Sequence, residues 1–221
     1  MSNHLAVAMV TAALTRTLVE ALADPSPGGV ENTSVTTLRP QSLAATDAQA
    51  RGINVFLYHV TPNGAWTVAD LPTRGSDGQS LVARPRQALD LHYLLTFSGD
   101  ESTLEPQRLL GLTVSTLASR PVLSPELIRR FAADAVTANG WQQYSDLADQ
   151  PDSVRFSLQP MDLEESTKLW SSLFHSNYRL SIAYQATAVL IEGREMPTPP
   201  TRVATRSIAV RPSADRRPRK A

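Results

Sequence analysis

The chain has 221 residues and no cysteine, which excludes disulfide scaffolds, zinc knuckles, iron–sulfur sites and thiol nucleophiles. Hydrophobic residues make up 42% and charged ones 19%, enough apolar material for a packed core in one or two domains. Lys plus Arg and Asp plus Glu each number 21, so the basic surplus that nucleic acid or an acidic membrane requires is missing.

That neutral total hides an asymmetry. Residues 211–221 carry Arg211, Arg216, Arg217, Arg219 and Lys220 against Asp215, a net of +4, which leaves residues 1–210 with a net of −4. With Pro212, Pro218 and almost no apolar side chains, this end reads as a disordered, solubilising tail; a nucleic-acid-binding arm is the alternative. No membrane span is expected. The apolar run from Leu5 to Leu14 is far short of the ~20 residues a spanning helix needs, and Arg16 and Glu20 interrupt it. Without a signal-peptide cleavage pattern, a soluble, cytoplasmic protein follows.

Residues 2–22 read as an amphipathic helix capped by Ser2, with Leu5, Met9, Ala13, Leu14, Leu18 and Leu22 at three- and four-residue spacing. Residues 24–29, with two prolines and two glycines, stop it. A β-rich stretch over 30–38 precedes a strand at 52–60. In that strand Ile53, Val55 and Leu57 face one side and Phe56, Tyr58 and Val60 the other, the pattern of a central strand covered on both faces. Thr61-Pro62-Asn63-Gly64 signals a turn, and 61–86 reads as a long loop or weak hairpin. A strong strand follows at 88–97. A helix over 103–118 is expected to bury Leu104, Leu110, Val114 and Leu117, with Gly111 admitting a close neighbour. Ser124-Pro125-Glu126 caps a third helix to about residue 138. A short strand at 154–158 leads to a helix at 163–174 capped by Asp162, whose Leu163, Leu169, Trp170, Leu173 and Phe174 form the heaviest apolar face. Residues 178–192 form the longest strand, with imperfect alternation where Val189 and Leu190 abut. The order predicts an α+β fold, one domain with a mixed sheet flanked by helices over 1–195. A Pro197-Thr198-Pro199-Pro200 hinge then opens a C-terminal arm over 196–221.

The search for chemistry is sparse. No phosphate-binding glycine loop, dinucleotide fingerprint, serine elbow or zinc-protease motif occurs. His4, His59, His92 and His175 lack metal-ligand spacing. His59 and His92 sit on strands that one sheet brings together, where histidines hydrogen-bonded within the sheet are the expected outcome. The Asp100-Glu101 and Glu164-Glu165 pairs open helices, where carboxylates complement the macrodipole. No catalytic residue, cofactor or metal is assigned, and a small-molecule-processing protein with an unrecognised site is the enzymatic alternative.

Three segments carry a resemblance: Arg84-Pro85-Arg86-Gln87-Ala88-Leu89-Asp90-Leu91-His92-Tyr93-Leu94-Leu95-Thr96; Gln107-Arg108-Leu109-Leu110-Gly111; and Leu163–Trp170 running into Tyr178-Arg179-Leu180-Ser181-Ile182-Ala183-Tyr184-Gln185. Together they resemble the N-terminal domain of the cap, or tail-terminator, proteins of extracellular contractile injection systems of the antifeeding-prophage and virulence-cassette type, over roughly residues 1–195. The resemblance implies a tail-terminator-like fold and a structural protein. Such a protein forms a homohexameric ring at the end of a phage tail-like particle away from the baseplate, where it stops the inner tube and anchors the last sheath layer. On that reading Leu91, His92, Tyr93, Leu95, Tyr178 and Tyr184 are fold and packing determinants, and Leu169 and Trp170 anchor a helix to the sheet. Arg179 is expected to pair with an acidic group. Val203, Ala204, Thr205, Arg206, Ser207, Ile208, Ala209 and Val210 form a candidate partner-binding strand that adds to a sheet edge of a neighbour or a sheath subunit.

Overall fold

A computed structural model describes residues 2–24, 29–40, 51–69, 84–137, 140–173 and 178–194. Most of the expected 25–28 breaker, Phe174, His175, the proline hinge, the strand at 203–210 and the basic tail lie outside these residues. Ten principal elements follow in order: α1 (Ala6–Ala23), β1 (Ser34–Thr36), β2 (Gly52–Pro62), α2 (Gly64–Ala69), β3 (Arg86–Ser98), α3 (Glu105–Ser119), α4 (Pro125–Thr137), β4 (Arg155–Gln159), α5 (Leu163–Ser172) and β5 (Ser181–Glu192). The strands form one five-stranded mixed sheet in the order β1-β2-β3-β5-β4, with β1 parallel to β2 and every other pair antiparallel.

α1 is the main cover of one sheet face. Met9, Val10, Ala13, Leu14 and Leu18 are fully buried in the cluster that holds Val55, Leu91, Tyr93, Leu95, Phe156 and Tyr184. Its 18 residues have a mean hydropathy of 1.5, long and apolar enough to cross a membrane by length and composition. That corrects the expectation of too short a run, but the buried stripe makes it a core helix here. Ser2 does not cap it. The helix starts at Ala6, where the Asn3 side-chain carbonyl accepts from the Leu5 N–H at 2.9 Å. The Ser2 carbonyl instead accepts from the Glu192 N–H at 2.9 Å, tying the N-terminal segment to the end of β5. Outside the core, Arg130 donates to both Glu20 carboxylate oxygens at 2.9 and 3.0 Å, linking α4 to α1.

β3 lies between β2 and β5, and Leu91, Tyr93, Leu94 and Leu95 are all fully buried, so both of its faces are covered. The irregularity in the longest strand is a bulge. Leu89 pairs with Val189 and Leu91 with Ala186, so β5 contributes an extra residue opposite Asp90, and Ala188 takes a left-handed φ of 63°. Asp90 fills the gap. Its carboxylate accepts from the Asn63 side-chain amide at 2.8 Å and from the Ala188 N–H at 3.4 Å.

Several elements differ from expectation. The β-rich stretch condenses to a three-residue β1. The 61–86 loop begins with α2, where Asn63 accepts from the Trp66 N–H at 3.1 Å; residues 70–83 lie outside the description. In α3 the buried stripe is Leu109, Thr113 and Leu117 rather than Leu110 and Val114, and Leu104 is 57% exposed at φ 57°. Glu105 sets that phase: its carboxylate accepts from the Asp100 N–H at 2.7 Å and pairs with Arg51 at 3.5 Å. Gly111 faces open space, not a neighbouring backbone. α5 carries the expected capping box between Asp162 and Glu165. It buries none of its residues fully, and Leu163 is 85% exposed.

Burial raises Tyr93 well above the ordinary tyrosine value, despite a hydrogen bond with Thr11 at 2.8 Å; Tyr58 and Tyr184 are also raised, mainly by burial. A raised folded value makes ionisation favour the unfolded chain. The stabilisation is therefore complete below about pH 10 and lost as pH rises beyond it. Tyr93→Phe is expected to cost about 1 kcal/mol at neutral pH through the lost hydrogen bond and to flatten the alkaline fall. Urea midpoints measured from pH 7 to 11 test this: parallel curves for the two proteins would refute it.

Candidate assembly surfaces

The sheet places the two strand histidines together, and the His92 ring is held by hydrogen bonds within the sheet. His59 sits opposite His92 in the ladder, with ring centroids 5.4 Å apart. His92 is 7% exposed, its Nε2 lying 2.9 Å from the Thr61 hydroxyl and its Nδ1 2.7 Å from the Gln159 side-chain oxygen. Both ring nitrogens thus have polar partners, and neither points to a substrate. Among the described residues no group of three or more His, Asp or Glu side chains could hold a metal ion. Hydrogen bonds from Ser102 hold the Asp100 carboxyl below the usual range, and the α4 N-terminus with Ser124 does the same for Glu126. Both shifts come from hydrogen bonds made within a few residues in sequence. A notch of about 30 Å³ beside Ser34, Arg51, Ser98 and Arg179 has room for roughly one water.

The motif residues divide by depth. Leu91, Tyr93 and Leu95 are 0% exposed and Tyr184 is 4% exposed. Leu169 and Trp170 are half-buried, and the Trp170 ring lies 5.5 Å from the ring of Tyr178, itself 70% exposed. Arg179 donates to the Ser98 hydroxyl at 2.6 Å, where an acidic partner was expected. Residues 203–210 lie outside the description.

Exposed aromatic and aliphatic side chains give surface suited to protein contacts. Tyr144 is 67% and Trp141 39% exposed on a 3-10 turn at Trp141–Tyr144, held in place as the Asn3 side chain donates to the Tyr144 carbonyl at 2.8 Å. Exposed aromatics of this kind dominate protein interfaces energetically. Leu158, 55% exposed, marks the β4 edge, and Leu163 projects from α5. Sequence reading missed Trp141 and Tyr144, because an apolar residue in a short irregular segment has no periodicity to say whether it faces in or out; Leu158 fell within the expected strand at 154–158, whose alternation groups it with buried Phe156.

The fold has solved counterparts. It is similar to the sheath/tube terminator of the PVC extracellular contractile injection system in its extended state, with a TM-score of 0.57 and 15% identity, over 94% of this chain and 65% of that one. It is similar also to the tube-terminating cap of the anti-feeding prophage, with a TM-score of 0.56 and 16% identity, over 91% of this chain and 60% of that one. The chain thus spans less than two thirds of the length of either, and at such identities the likeness is one of fold. Among curated protein sequences none matches. Residues 9–205 match the family described as the Pvc16 N-terminal domain, and the chain belongs to that family.

Proposed function

We propose that this protein is a structural cap of a contractile injection system, not an enzyme. It forms a homohexameric ring at the end distal to the baseplate, stops the inner tube and anchors the last sheath layer. The observation that carries the reading is the family match over residues 9–205, together with a fold shared with two tube terminators over more than nine tenths of the chain. The surface chemistry agrees. Exposed aromatic and aliphatic side chains lie at several distinct places, as a ring subunit needs when each copy presents different patches to its two neighbours. On this proposal residues 1–195 are the terminator domain, built in the cytoplasm into a particle that is later released. Residues 196–221 are an arm, whose strand at 203–210 adds to a sheet edge of a neighbour or of a sheath subunit.

Negative-stain imaging and mass measurement of particles carrying a tagged copy test the reading. A six-fold ring of this chain at the baseplate-distal end is expected. Particles in which the tag lies along the sheath or at the baseplate would overturn it.

A further inference from the structure

The two edges of the sheet are not alike. β4 spans five residues, and its outer side is already engaged: the Phe156 N–H donates to the Pro121 carbonyl at 2.7 Å, and Val122 bridges Arg155. β2 has eleven residues, but β1 pairs only with Gly52, Ile53 and Asn54. The remaining eight, residues 55–62, have no strand on their outer side among the described residues. Asn54 brings this about. Its side-chain oxygen accepts from the Leu38 N–H, and its amide donates to the Leu38 carbonyl, each at 3.0 Å. A side chain, not the β2 backbone, therefore holds the chain beyond β1. An open edge of this length is a ready template for another strand, and no lysine and no proline before Pro62 blocks it.

Resting on the arm reading above, we infer that this edge is the acceptor for residues 203–210 of the adjacent copy in the ring. The lengths agree, eight residues for eight, and the segment carries β-branched Val203, Thr205, Ile208 and Val210. The family match runs through residue 205, past the last described strand and into this segment. β5 ends at Glu192 opposite Arg86, at the same end of the sheet as Pro62 opposite Leu89. Reaching its own β2 edge requires the chain to cross three strand spacings, about 15 Å. The ten residues 193–202 hold three prolines that favour extended backbone, giving a reach of about 30 Å. That reach covers the chain's own edge as well as a neighbour's, and the intrachain outcome of the test below separates the two. A donor strand and an acceptor edge on one chain are different patches, the heterologous arrangement that closes a ring by rotation.

The absence of native cysteine makes the test clean. Val60, 41% exposed on this edge, is replaced by cysteine together with a second single cysteine at each position from 203 to 210 in turn, and assembled particles are mildly oxidised. The expected result is a covalent ladder of multiples of this chain, at least about threefold stronger at every second position, as strand periodicity dictates. With Leu163→Cys replacing Val60→Cys, monomers are expected. No link, or an intrachain link alone, would overturn the inference. Cross-linking to the sheath subunit would overturn it too while leaving the arm reading standing. The arm reading fails separately if deleting residues 197–221 changes neither ring formation nor sheath retention.

Discussion

Leu14→Ala is expected to lower stability by about 3 kcal/mol, because a fully buried leucine is lost and the surrounding core closes only in part. For a chain of this size that corresponds to a fall in Tm of roughly 6–12 °C. Leu163→Ala, removing a side chain of the same size that is 85% exposed, is expected to stay within about 0.5 kcal/mol. The pair separates two readings of the most apolar helix in the protein. α1 passes a membrane-span test on length and hydropathy, yet Met9, Leu14 and Leu18 lie in one cluster with Tyr93 and Leu95 of β3. If α1 were an anchor that only happened to lie on the sheet, Leu14→Ala would leave thermal melting in water unchanged. Circular dichroism melts of the two variants decide it, and equal small shifts would sink the core assignment.

The strands were the most legible part of the fold. β2 is long and rich in β-branched and aromatic residues, β3 is long and rich in leucine, and their expected bounds are within two residues of those observed. The uneven alternation of β5 was read as the mark of a largely buried strand, and the bulge at residues 187–188, opposite Asp90, was not anticipated from it. Helix phase was less legible. In α3 the better hydrophobic stripe runs through Leu110 and Val114, but the buried one runs through Leu109, Thr113 and Leu117. Its middle member is a threonine, and periodicity of apolar residues cannot detect a stripe with a polar centre. The phase is set instead by Glu105, which folds back onto the nearby Asp100 N–H and pairs with Arg51, far away in sequence.

α5 exposes a second limit. Its apolar residues are more numerous than its burial explains: Leu169 and Trp170 are half covered and Leu163 is almost bare. Sequence pattern reports that a face is apolar but not whether the cover comes from the same chain or from a partner. Assembly surfaces are for that reason hard to find in a sequence. They obey the rules of cores without belonging to one. Among the described residues, His92 of the His59–His92 contact is held by hydrogen bonds with Thr61 and Gln159.

Loss of this subunit from an assembling particle is expected to have the largest functional effect. A terminator acts by occupying the growing end of the tube, so without it nothing stops further addition. Tube lengths are then expected to spread from a single narrow value to a broad distribution. The outermost sheath layer, lacking its anchor, is expected to be missing from most particles. Deleting residues 197–221 tests the proposed arm. On that proposal the truncated chain keeps α1, the sheet and the exposed aromatics at Trp141 and Tyr144 but loses the strand donated to the next copy, so the ring is expected to weaken, tube lengths to broaden toward those of the null strain and sheath retention to fall severalfold. Negative-stain length histograms, with a count of sheathed ends, read both quantities from the same grids. If the null strain kept uniform, fully sheathed particles, capping would not be what this chain does. If the truncated protein kept narrow tube lengths and lost only its sheath, the arm would tether the sheath and not join copies within the ring.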